Sequence, residues 1–211
     1  CTLEIADLST LITPKTKLVA IGYASNVCGT INPLIEIIKE AKKVNAVVVV
    51  DAVHAAPHLR INFKALDCTI LLASAYKFFG PHLGIALIQE AFFKLLNPDK
   101  LQPAPTEIPH CLETGTQNHE ALAGLVGAID FIESLGEGQT TNARFDKAFQ
   151  NIESHEQQLA ATLLVYLTKQ ARISIYRPPN SPCTATIAFI ITGVHANSAA
   201  RYFAEQNINL A

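Results

Sequence analysis

Residues 47–50 read Val-Val-Val-Val and are followed at once by Asp51. Four β-branched side chains in a row, with no polar alternation, suit a strand buried on both faces, as in a parallel sheet covered by helices. The segment before it agrees. Leu34, Ile37, Ile38, Ala41 and Val44 recur at helical spacing, while Glu36, Lys39, Glu40, Lys42 and Lys43 occupy the opposite face, so a helix there buries one stripe against the sheet. Asn32 and Pro33 supply its N-cap and first-turn proline. Ahead of that helix, LVAIGY from Leu18 is another short apolar run. Strand, helix and strand make one right-handed βαβ unit.

The sheet continues after an irregular connection containing Pro57. TILLAS, from Thr69 to Ser74, is a further buried strand, and Gly84 to Ile88 is another close behind it. Asn118 can cap a helix whose apolar stripe runs through Leu122, Leu125, Val126, Ile129 and Ile132 and ends near Gly136. After the Gly-rich LGEGQ the composition changes, and Ala143 to Gln170 reads as one long helix with a polar face. Arg172 to Tyr176 and Thr184 to Ile191 read as strands, and Asn197 to Gln206 as a helix. The expected fold is α/β, a mostly parallel sheet sandwiched by helices, with a small α+β C-terminal domain. Residues 1–139 form the large domain, 140–170 the linker helix and 171–211 the small domain. The opening at Cys1 and the strand-like Asn209-Leu210-Ala211 lead us to expect that both ends are truncated.

Composition narrows the function classes. Of 211 residues 49 % are apolar, which excludes intrinsic disorder. Lys and Arg number 16 against 18 Asp and Glu, a formal charge of −2, so there is no basic excess for nucleic acid or an anionic membrane surface. No stretch approaches the roughly 20 apolar residues of a transmembrane helix, and nothing reads as a secretory signal. The five cysteines are odd in number, widely spaced and without a CxxC pair, against a disulfide framework or a metal site and in favour of a reducing, cytoplasmic setting. Cys68 and Cys183 lie in apolar surroundings and read as small core residues.

Two residues stand where open α/β sheets bind ligands, at the carboxyl ends of strands. Asp51 closes the all-valine strand, and a carboxylate stripped of water is stable there only beside a cation. Lys77 follows the next strand by three residues, bracketed by Tyr76, Phe78 and Phe79. Burial among rings would favour its neutral amine, which can attack a carbonyl. Taken singly, Asp51 reads equally as a helix cap or a salt-bridge partner, and Lys77 as an exposed loop lysine. Taken together, an amine and a carboxylate at successive strand ends suit pyridoxal phosphate, which needs a lysine for its imine, an acid at the pyridine nitrogen and donors for its phosphate. Ser74, three residues before Lys77, is one such donor. No GxGxxG or P-loop is present, so a nucleotide site is disfavoured.

YASNVCGTINPL, VDAVHAAPH, LDCTILLASAYKFFGPHLGI and LETGTQNHEALAGLVGAIDFI resemble, in this order, signature segments of the class V aminotransferase family of fold-type I pyridoxal phosphate enzymes, and within it the cysteine-desulfurase-like group. The resemblance implies that Lys77 forms the Schiff base with pyridoxal 5'-phosphate and that Asp51 partners the pyridinium nitrogen. It also implies that His54 and Asn26 approach the cofactor's phenolic oxygen, and that Ser74 and Tyr76 bind its phosphate, many members having His in place of Tyr76. Thr116 would reach the phosphate held by a partner subunit, hence a homodimer with shared sites. The implied substrate is a small amino acid, and the outcome is left open between desulfuration, lyase chemistry and transamination. A truncated, inactive dimerising fragment is the alternative. The desulfurases' nucleophilic Cys and carboxylate-binding Arg would both lie beyond Ala211; Arg201 reads as a surface residue.

Overall fold

In the computed structural model the described residues are 1–3 and 5–210. By contacts the chain divides into two compact units. One holds residues 5–23 and 33–151, the other residues 1–3, 24–32 and 152–210.

The first unit is built on a four-stranded sheet of order β1-β2-β3-β4, from Leu18–Gly22, Val47–Asp51, Ile70–Ser74 and Gly84–Ile88. β1, β2 and β3 run parallel; β4 returns antiparallel to β3. Helix α1 (Leu8–Leu11) precedes the sheet. Helix α2 (Leu34–Lys43) crosses over between β1 and β2 and buries Leu34, Ile37, Ile38 and Ala41. Its N-cap is Pro33, with no side-chain cap bond, so Asn32 does not cap it. Glu36 in the first turn and Lys42 and Lys43 in the last complement the helix dipole.

Val48, Val50, Ala52, Cys68 and Leu71 join that stripe in one core, each large aliphatic side chain contributing about 1.5–3 kcal/mol by its burial. Val47 and Val49, on the other face of β2, are only half-buried. The all-valine strand is thus sealed on one face rather than two. The connection from β2 to β3 carries a one-turn helix, α3 (Phe63–Leu66), capped by Asn62 Oδ1 accepting the Ala65 N–H and closed by left-handed Asp67. After β4 come α4 (Glu90–Phe93) and then α5 (His119–Ser134), which Asn118 caps through the Ala121 N–H as expected. The buried residues of α5 are Ala121, Ala128 and Ile132, while Leu122, Val126 and Ile129 are exposed. Its apolar stripe is therefore only partly covered. α6 (Thr141–Leu167) follows after Gly136, where a Cβ would run into the Arg144 carbonyl oxygen.

In the second unit β5 (Ile173–Tyr176) and β6 (Ala188–Ile191) form an antiparallel pair, followed by α7 (Ala196–Glu205). β6 is shorter than the run from Thr184 predicts. The chain at 184–186 is held differently: the Thr184 N–H donates to the Gly29 carbonyl, and Arg177 Nη1 donates to the carbonyls of Thr184 and Thr186 at 2.7 and 2.8 Å. All five cysteines are free thiols, four of them buried. Arg201 is exposed.

Candidate functional site

The parallel run of β1, β2 and β3 brings their carboxyl ends to one edge. Gly22 pairs with Asp51, and Asp51 with Leu72, two residues before Ser74. Neighbouring strands lie about 4.8 Å apart and each residue advances about 3.3 Å, so Asp51 and Ser74 open onto the same margin of the sheet. Backbone bonds lock it: the Tyr23 N–H donates to the Asp51 carbonyl and the Ala52 N–H to that of Leu72, both at 2.8 Å.

Asp51 itself differs from expectation. Its side chain is exposed, and Oδ1 accepts the Val53 N–H at 2.9 Å, which fixes the carboxylate's orientation by an Asx turn. The reason is alternation: Asp51 shares the less covered face of β2 with half-buried Val47 and Val49, while Val48, Val50 and Ala52 point into the core. His54 lies in the following turn, half-buried, with its ring 5.0 Å from that of His58. His58 is a neighbour that spacing alone does not reveal. Tyr23, just past β1, packs against the core, and burial pushes its phenol up, so it stays protonated.

Ser74 is the last residue of β3, and a 3₁₀ turn, Ala75–Phe78, carries Tyr76 and Lys77. Successive side chains of such a turn point about 120° apart, which separates the aromatic neighbours. Phe79 packs edge-to-face on Phe131 of α5, at 4.9 Å, while Lys77 stays exposed with Nζ 5.1 Å from the centre of the Tyr76 ring. The desolvated lysine expected from the sequence is instead an exposed lysine beside one ring. Tyr76 stacks almost flat on His82, ring centres 5.0 Å apart and planes 11° apart. His82 was not singled out from sequence; the β3–β4 register was the signal that could have found it. Gly80 closes this turn because a Cβ there would sit 2.9 Å from the Ala75 carbonyl oxygen.

Two other expected site residues are carried by other segments. Thr116 is exposed, just after left-handed Gly115 and before α5. Asn26 belongs to the second unit, in a turn where Ser25 Oγ accepts the N–H groups of Val27 and Cys28, and it lines a cavity of about 420 Å³ with Thr186, Phe189, Ile191 and Ala199. The Cys28 thiol there is held below its ordinary value by hydrogen bonds from Ser25 and Thr30, which outweigh its burial. Among the described residues, no group of three or more His, Cys, Asp or Glu is placed to hold a metal ion, and no helix is long and apolar enough to cross a membrane.

At one sheet margin, then, stand a primary amine, an oriented carboxylate, a serine hydroxyl and an imidazole. All four are borne on strand ends or tight turns. This donor set fits pyridoxal phosphate, whose aldehyde, ring nitrogen and phosphate call for an amine, an acid and hydroxyl or amide donors.

The family model for class-V aminotransferases matches residues 1–211. A probable cysteine desulfurase of Xylella fastidiosa is 32 % identical over 94 % of this chain and 48 % of its own length. A cysteine desulfurase of Escherichia fergusonii is 32 % identical over 92 % of this chain, again 48 % of its own. Among solved structures, the apo cysteine desulfurase of Thermococcus onnurineus is similar with a TM-score of 0.84 and 27 % identity over 99 % of this chain and 52 % of that one. The Escherichia coli cysteine desulfurase CsdA gives 0.82 and 25 %, over 98 % and 51 %. The chain thus spans about half the length of the curated relatives it matches. With the family model matching its whole length, the chain belongs to the class-V aminotransferase family.

Proposed function

We propose that this chain carries the cofactor-holding residues of a pyridoxal-phosphate-dependent enzyme that acts on an amino acid in the manner of a cysteine desulfurase. One observation supports the proposal: Asp51 ends β2, and Lys77 lies in the turn that follows β3, the parallel strand beside it. When bound, pyridoxal phosphate supplies a ring that withdraws electrons from the substrate's α-carbon.

The chain's own residues do the rest. Lys77 Nζ would hold the cofactor's aldehyde carbon and would serve as the base that takes and returns a proton at the substrate's α-carbon. The Asp51 carboxylate, oriented by the Val53 N–H, keeps a proton on the ring nitrogen. Ser74 Oγ and the Tyr76 hydroxyl would donate to the phosphate, and His54 would donate to the phenolic oxygen. Thr116 serves the phosphate of a second copy. The exposed Leu122, Val126 and Ile129 on α5 favour such a second copy, since an apolar face of this kind is costly to leave in water.

Pyridoxal phosphate added to the purified chain should produce a visible absorption band that free cofactor lacks, and an amino acid should shift it. Lys77→Ala should abolish the band. A band that persists in Lys77→Ala and still shifts with amino acid rejects the assignment.

A further inference from the structure

The β3–β4 hairpin extends past its last strand pair. Ser74 pairs with Gly84, and the Ala75 N–H then donates to the Leu83 carbonyl at 2.9 Å. One step further out the same register sets Tyr76 opposite His82. Their rings stack nearly parallel, 5.0 Å apart, and Lys77 Nζ lies 5.1 Å from the centre of the same Tyr76 ring.

Tyr76 is exposed and sits on a turn of only four residues. Without a neighbour its ring is free to swing between rotamers. The flat contact with His82 removes that freedom, because aromatic pairs favour a defined offset or stacked arrangement. An aromatic face within about 6 Å attracts an ammonium. A ring held still therefore holds the lysine's cationic end in one place. The turn is itself rigid: the Gly80 N–H donates to the Ala75 carbonyl and the Leu83 N–H to that of Pro81, at 2.9 and 2.8 Å.

We infer that His82 is a positioning residue for Lys77, acting through the stacked ring of Tyr76. The inference rests on the cofactor assignment above for its purpose, but not for its geometry. Pre-placing the terminal nitrogen removes part of the ordering cost of capturing an aldehyde once the ammonium has given its proton to solvent. The effect depends on the flat ring of His82, so phenylalanine should replace it and alanine should not.

Two readouts test this, one without cofactor. Lysine labelled with 13C at Cε, with its resonance assigned through Lys77→Arg, should show a ring-current shift for Lys77 in the wild type. That shift should vanish in Tyr76→Leu, diminish in His82→Ala and survive in His82→Phe. The pyridoxal phosphate concentration giving half-maximal borohydride-trapped label on Lys77 should rise roughly two- to five-fold in His82→Ala, the scale of one exposed cation–π contact, and return in His82→Phe. An unshifted wild-type resonance overturns the inference, as do a shift and labelling curve in His82→Ala that match the wild type. If the resonance responds as stated but wild-type Lys77 takes no label, the ring-held lysine stands and the cofactor assignment falls.

Discussion

Cys68 shows how burial tells a packed thiol from a reactive one. It is fully buried beside Val48 and Leu71, and desolvation pushes its thiol up to about 11 from an ordinary value of 9.0. The sign of the pH effect follows. The folded state keeps the proton longer than the unfolded chain, so the stabilisation is complete below about pH 9 and is lost as pH rises through about 11. Melting temperature should fall across that window in the wild type and fall less steeply in Cys68→Ala, as scanning calorimetry at stepped pH would show. Equal slopes would contradict the assignment. The same scale separates what sequence can reveal of the site from what it cannot. The places of Asp51 and Ser74 at strand ends, and of Lys77 just beyond β3, were legible because buried apolar runs mark the strands. The exposure of Asp51 was not, since it depends on which face of β2 the rest of the molecule covers.

Among the elements, α2 was read from its sequence most completely. Its buried Leu34, Ile37, Ile38 and Ala41 are four of the five stripe positions expected, with Val44 falling at the C-cap. A strong 3.6-residue period leaves little choice of face. Ile37 is 2 % exposed and Ile35 is 74 % exposed. Ile37→Ala should therefore cost about 2–5 kcal/mol and Ile35→Ala no more than about 0.5 kcal/mol in urea unfolding. Similar losses for both would contradict the assigned face. β6 and α5 were read less well, for a common reason. Thr184 and Thr186 have strand propensity, but the Thr184 N–H is taken by distant Gly29 and their carbonyls by the Arg177 side chain. In α5 the small residues Ala121 and Ala128 are buried where larger ones were expected. Neither outcome is a property of the local segment.

At the scale of the molecule, periodicity identified a parallel sheet and a later α+β part. It had no means of assigning residues 24–32 to the second unit, because that depends on bridges such as Thr30 to Cys183. The exposed apolar face of α5 makes a prediction at this scale. If it pairs with a second copy, Val126→Asp should move the chain from dimer to monomer by light scattering, with α-helical content unchanged. A wild-type monomer at every concentration would contradict it. The central claim concerns one amine among the chain's eleven lysines. Incubation with pyridoxal phosphate, borohydride reduction and mass spectrometry of the peptides tests it most directly. Label is expected on Lys77 at saturation with one equivalent of cofactor per chain, and label spread over other lysines, or absent from Lys77, would contradict it.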